Sequence, residues 1–340
     1  MSKLYNTEIA EIVKTKNIIE LSDKMDMQKK GKATLTSEDN EAIGLLDNFA
    51  REIGRTGKSS ENNKLLAEYI KETIEPTVFN PDESILGDMF DIGTIGEFDE
   101  KAFTGLPKNT IKVYDAVRGG NVPKSYVDPT IYTKKSFKLQ AETELNYSDL
   151  RRNGFKSIAK MTELALESFN NEKFYRIFAG VDDALNILSG DQNSNAGSTL
   201  TVSVMDNFTR YLRDMAVDGN PFMIGLTKYT DPIARMDGAD KFLSEDMKNE
   251  FNRTGYLSLY NGVVVNSVPT ARKTADNKNL IPDKRIFGIA GKIGEMDIRG
   301  DLRNYETYDN DAEKVKLKFT GFDVDYIIYH LDRMARIYFS

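Results

Sequence analysis

The sequence predicts an α+β fold, with helices at the front of the chain, a strand-rich excursion, one long helix and antiparallel strands at the end. Three observations predict it. Apolar residues over 1–75 recur at helical spacing, the stretch 148–178 keeps that spacing for about eight turns, and the last forty residues alternate apolar with polar side chains.

In the first region, Ser37 is positioned to cap a helix whose apolar face carries Ile43, Leu46, Phe49 and Ile53, with Gly54 as its stop. A second helix follows Ser60, with Leu65, Leu66, Tyr69, Ile70 and Ile74, and is expected to end before Pro76. From 76 to 109 periodicity is lost while Pro76, Pro81, Gly87, Gly93, Gly96, Gly105 and Pro107 accumulate. So long a stretch without regular structure reads as an extended connector lying along another surface.

Residues 110–117 read as a strand, followed by a turn-rich tip and a second strand in which Phe137, Leu139 and Ala141 alternate with polar residues. Such a two-stranded excursion is marginal alone and needs a surface to lie on. Ser148 is the expected N-cap of the long helix, with Phe155, Ile158, Met161, Ala165 and Phe169 along one face. The polar stretch 189–199 reads as a loop.

Over 200–300 an α/β region is expected. Ser203 and Asp206 suggest a capping pair for a helix bearing Phe208 and Leu212, 222–226 reads as a buried strand, and Asp231-Pro232 opens a helix. A helix from Ser244 stops at Gly255, and 259–265 and 285–290 add strands. Val315, Leu317 and Phe319 alternate with lysines in a strand with one wet face, Gly321 reads as a turn, and two further strands end the sequence.

The 340 residues include 46 basic and 53 acidic side chains, a net charge of −7, which argues against gripping nucleic acid as the main task. With no cysteine there are no disulfides or thiolate metal sites, as suits a reducing compartment. No apolar run is long enough to span a membrane, and the charged first 24 residues hold no signal core.

Motifs that suggest chemistry fail on inspection. GRTGKSS (54–60) lacks the first glycine of a phosphate loop, since Glu52 stands there. Asp309, Asp311 and Glu313 lack the glycine and distal glutamate of a calcium loop. The single histidine, His330, cannot build a metal cluster, and Gly288, Gly291 and Gly294 are better explained by turns or close backbone approach. No catalytic set, cofactor or metal is expected.

The order of elements resembles the major capsid protein family of tailed bacteriophages, a fold shared with herpesvirus capsid floors and encapsulins. The resemblance runs over about 110–340 and rests on KKSFKLQAETELNYSDLRRNGFKSIAKMTELALESF, LYNGVVVNSVP, and the ending FGIAGKIGEMDIRG with VKLKFTGFDVDYIIYHLDRMARI. It implies a helical N-terminal arm and connector at 1–109, an extended loop at 110–147 overlapping a neighbouring subunit, and a spine helix at 148–181. An axial domain would occupy 182–302, and return strands of the peripheral domain 303–340. The N-terminal helices would be either an elaborated arm or an internal scaffolding segment that some relatives remove.

It further implies self-assembly into hexamers and pentamers of an icosahedral shell enclosing double-stranded DNA, within a host bacterial cytoplasm. Partners would be other copies of the chain, with scaffolding, portal and cement proteins beside them. Placement alone nominates the loop tip, Arg118, Gly119, Gly120, Asn121 and Lys124, together with the apolar faces of the N-terminal helices, for contact between subunits. Some relatives cross-link through a loop lysine; Lys124, Lys134 and Lys135 lie on the equivalent loop, but no partner can be matched. The alternatives are an encapsulin-like shell, a tail or baseplate component, and an α/β enzyme using an acid–base pair such as Asp182 and Asp183.

Overall fold

A computed structural model of the chain describes residues 12, 16–30, 32, 34–56, 60–79, 85–99, 104–105, 130–131, 135–217, 219–236, 244–255, 257–309 and 313–340. The helices α1 (Ile18–Lys29), α2 (Ser37–Thr56) and α3 (Ser60–Phe79) lie toward the start of the described residues. Leu46, Phe49 and Ile53 of α2 and Leu66, Ile70 and Ile74 of α3 are buried, as their spacing predicts. Gly54 does not stop α2. It lies where α5 (Tyr147–Asn153) crosses, and a Cβ there would come within 2.8 Å of the Arg151 backbone nitrogen. Its smallness serves helix–helix approach. Nor does Pro76 end α3, which continues to Phe79; one missing amide does not outweigh the packing of Ile70 and Ile74 just upstream.

The connector departs further from expectation. After the short helix α4 (Ile85–Met89), strand β1 (Phe90–Ile95) pairs in parallel with β10 (Gly294–Arg299). Its sequence, FDIGTI, hides the strand because Gly93 is required by its neighbour: a Cβ there would meet the Asp297 carboxylate at 2.5 Å. Two-residue strands β2 (Thr104–Gly105) and β3 (Thr130–Ile131) pair with each other.

The first large sheet is organised by β12 (Lys314–Ile328), 15 residues long. Strand β4 (Lys135–Asn146) runs along one edge of it; β11 (Arg303–Asp309) and then β10 follow one another along the other. The second strand of the expected excursion is therefore seen, paired to β12, while the first, 110–117, lies outside the described residues. Gly321 is a bulge within β12, not a turn between strands. It takes φ +95°, and the register with β4 slips between Phe319 and Phe322. The extra residue changes the parity of the strand, so Val315, Leu317 and Phe319 before it and Phe322, Val324 and Tyr326 after it share one buried face.

That face packs on α6 (Phe155–Leu185), a 31-residue helix about 46 Å long at 1.5 Å per residue. The long helix does not start at Ser148. Asn146 precedes the separate helix α5, and Gly154 at φ +57° breaks the chain before α6 begins.

The second sheet has six strands in the order β5 (Asn193–Gly197), β13 (Met334–Phe339), β9 (Arg285–Ile289), β6 (Phe222–Leu226), β8 (Val263–Val268) and β7 (Leu259–Tyr260). Helix α7 (Val202–Met215) packs on it. Its cap is Thr201, whose hydroxyl accepts from the Val204 amide; Ser203 and Asp206 lie inside the helix. Asp231-Pro232 opens a 3-10 turn (Asp231–Arg235) directly after helix α8 (Thr227–Thr230). Helix α9 (Glu245–Thr254) is capped by Ser244 and closed by Gly255 at φ +82°, as its sequence predicts.

The numerical division at 302 does not follow the sheets. Strand β10, before it, belongs to the sheet of β12, and β13, after it, belongs to the six-stranded sheet. Chain order cannot reveal this exchange, because it arises from pairing between segments well separated along the chain.

Candidate assembly surfaces

An open groove of about 1550 Å³ lies between α2, β4 and α6. Its floor is apolar, with Leu139, Met161, Ala165 and Phe169 buried beneath it. Leu164 stands on the α6 side at 50% exposure, unusual for a leucine amid an otherwise charged face. Charged pairs make the walls. Glu144 receives Lys314 at 3.0 Å and Lys316 at 3.4 Å, and Lys138 meets Asp323 at 3.3 Å. The Lys314 hydrogen bond holds the Glu144 carboxyl below the usual carboxylate range.

One end of the groove is fixed by Asp47 of α2. Its carboxylate accepts from the Phe155 amide at 3.2 Å and from Arg51 Nε at 2.7 Å. A Cβ on Gly154 would lie 1.8 Å from that carboxylate. The break between α5 and α6 is thus capped from a different helix, which places Asp47 where the dipole of a long helix favours negative charge. Nothing local in the sequence marks Asp47 for this role.

A second apolar feature lies at the edge of the six-stranded sheet. Leu259 of β7 and Val264 of β8 are register partners and exposed, at 46% and 37%, and the Val264 amide donates to the Pro221 carbonyl. Val217, at 76% exposure, lies in the segment leading to Pro221.

Arg118, Gly119, Gly120, Asn121, Lys124 and Lys134 lie outside the described residues. Lys135 is exposed at the start of β4. Asp182 and Asp183 do not converge in a cleft: Asp182 accepts from Arg336 and Arg285, and Asp183 is exposed. Residues 57–59 and Asp311 fall outside the described residues, and Glu313 pairs with Arg151 at 3.0 Å. His330 lies edge-on to Tyr329. Gly288 packs under Leu212 and Phe208, and a Cβ on Gly294 would lie 1.8 Å from the Ile327 carbonyl, so both glycines serve close approach. Among the described residues no cluster of His, Asp and Glu could hold a metal ion, and no helix is long and apolar enough to cross a membrane.

The fold is similar to the structure titled Gordonia phage Cozz (TM-score 0.52, 10% identity), covering 74% of this chain and 84% of that one. It is similar also to Microbacterium phage Oxtober96 (TM-score 0.50, 13% identity), with 75% and 90% covered. A third likeness is the asymmetric unit of bacteriophage PhiM1 mature capsid, at TM-score 0.48, 11% identity and coverage of 74% and 86%. No curated protein is similar enough to the sequence to count as a match. A family model described as "SPbeta prophage-derived putative capsid protein YonB" matches residues 1–334, nearly the whole chain. The elements that sequence alone likened to a phage capsid subunit are therefore carried by a chain that belongs to this prophage capsid protein family.

Proposed function

We propose that this capsid protein is the repeating unit of an icosahedral head, assembled as hexamers and pentamers around double-stranded DNA in the host cytoplasm. The observation that carries the reading is the family match over 1–334. Small changes of angle at a repeated heterologous contact allow five-fold and six-fold rings from one chain. The five-stranded sheet, α6 and the N-terminal helices act as the peripheral part, and the six-stranded sheet as the axial part. The part of the extended loop that precedes β4 reaches a neighbouring copy, with Arg118, Gly119, Gly120, Asn121 and Lys124 at its tip, and the groove over Leu164 receives such a segment. A scaffold, a portal and cement proteins are the further partners.

The net charge of −7 supports enclosure of DNA without tight binding, since the subunit as a whole repels the phosphates. Negative-stain microscopy with size-exclusion chromatography tests the reading. Closed shells or capsomers are expected. A chain that stays monomeric with its scaffold and portal present overturns it, as does tight, salt-sensitive DNA binding for the role of the charge.

A further inference from the structure

We infer that α2 and α3, residues 37–79, are a permanent layer of the folded subunit, so that any proteolytic trimming of this chain is confined to the region before Ser37. This deepens the shell reading and takes its setting from it, although the packing argument stands alone. The sequence leaves two fates open for the N-terminal helices, a built-in arm or a removable segment. What separates them is where the apolar side chains go.

At the end that α3 meets, the sheet is three strands across, β4, β12 and β11. At about 4.8 Å per strand this is roughly 14 Å of sheet face, wider than a single helix of about 10 Å diameter covers. Helix α6 covers part of the apolar face, and α3 packs against α6, β11 and β12. Leu66, Ile70 and Ile74 are fully buried in the same hydrophobic cluster as Val315, Leu317 and Phe319. Taking α3 away would strip the sheet face as surely as taking away α6.

Polar contacts agree. Asp47 of α2 caps α6 through the Phe155 amide, and buried Asn63 of α3 donates to the Tyr147 hydroxyl at 3.1 Å. A segment built to be discarded would leave a surface already satisfied without it. Here its loss would orphan a helix end and a broad apolar face.

Helix α1 is attached differently. Only Ile18 and Leu21 are buried in it. Its own ion pairs are Asp26 to Lys156 and Lys24 to Asp39, and its two members of those pairs, Asp26 and Lys24, are half-exposed. Such pairs hold weakly. At the end of α1 and just beyond it, Lys29, Lys30 and Lys32 are exposed.

Limited trypsin digestion of the full chain, with masses read on fragments that co-elute in size exclusion, decides the matter. Cleavage at Lys29, Lys30 or Lys32 is expected at least tenfold before any loss of 37–79, and nicks elsewhere should leave 37–79 bound to the core. A folded core eluting without 37–79 overturns the inference. The same mass measurement on subunits from assembled particles is expected to retain 37–79. Particles whose subunit begins after Phe79 would overturn the inference while leaving the shell reading intact, and if no particles form, the digest still decides.

Discussion

Asp182, near the C-terminal end of α6, accepts from Arg336 of β13 and Arg285 of β9, and Arg336 also donates to Asn193 at 2.8 Å. Arg336 is 5% exposed, so these bonds hold a buried charge at the meeting of the long helix with the six-stranded sheet. Removing the carboxylate leaves that charge without its ion-pair partner, which costs about 3–5 kcal/mol. Asp182→Ala is expected to lower the urea unfolding free energy by that amount. Asp183→Ala, at an exposed position, should change it by less than about 0.5 kcal/mol.

Lys173 behaves in the opposite sense. It is 7% exposed with its ammonium over the Phe322 ring, and burial depresses its pKa to about 8. The folded chain thus binds this proton less readily than the unfolded chain, whose lysine titrates near about 10.4. Stability should rise with pH from about 8 to about 10.4, and be lost again as pH falls back across that window. Lys173→Met is expected to flatten that rise, read from denaturation at about pH 7 and pH 10.

At the scale of elements, the long strand β12 shows how a single residue sets register. Without the extra residue at Gly321, either Val315, Leu317 and Phe319 or Phe322, Val324 and Tyr326 would turn away from α6. Gly321 holds φ +95°, and a Cβ there would lie 2.6 Å from the Asp301 carbonyl. Gly321→Val is therefore expected to cost about 2–3 kcal/mol through backbone strain and that collision, seen as a lower denaturation midpoint. The sequence shows a glycine between two alternating runs, and both a turn and a bulge ask for one. Only the strands on either side, β4 with β11 and β10, distinguish them.

For the whole molecule, the groove over Leu164 gives the most direct test of assembly. Leu164 is half exposed in the subunit, so Leu164→Asp should leave the unfolding free energy within about 0.5 kcal/mol. In the shell the same change would bury a carboxylate against an apolar floor, and assembly is expected to fall at least ~10-fold by particle counting in negative stain. Equal assembly by the variant would remove the groove from the contact surface.

The sequence by itself determined the elements whose signal is local. The clearest cases are α9, bounded by Ser244 and Gly255, the buried strand 222–226, and the wet-faced alternation at 315–319. It also carried enough of their order to resemble a phage capsid subunit. The tertiary structure alone decided what depends on distant partners. Gly54 and Gly93 look like breakers but make room for Arg151 and Asp297. Asp47 caps a helix more than a hundred residues away. Strands β10 and β13 exchange sheets across the expected boundary at 302. Periodicity reports which face of an element is apolar, whereas the identity of the surface it meets is fixed only when the chain closes on itself.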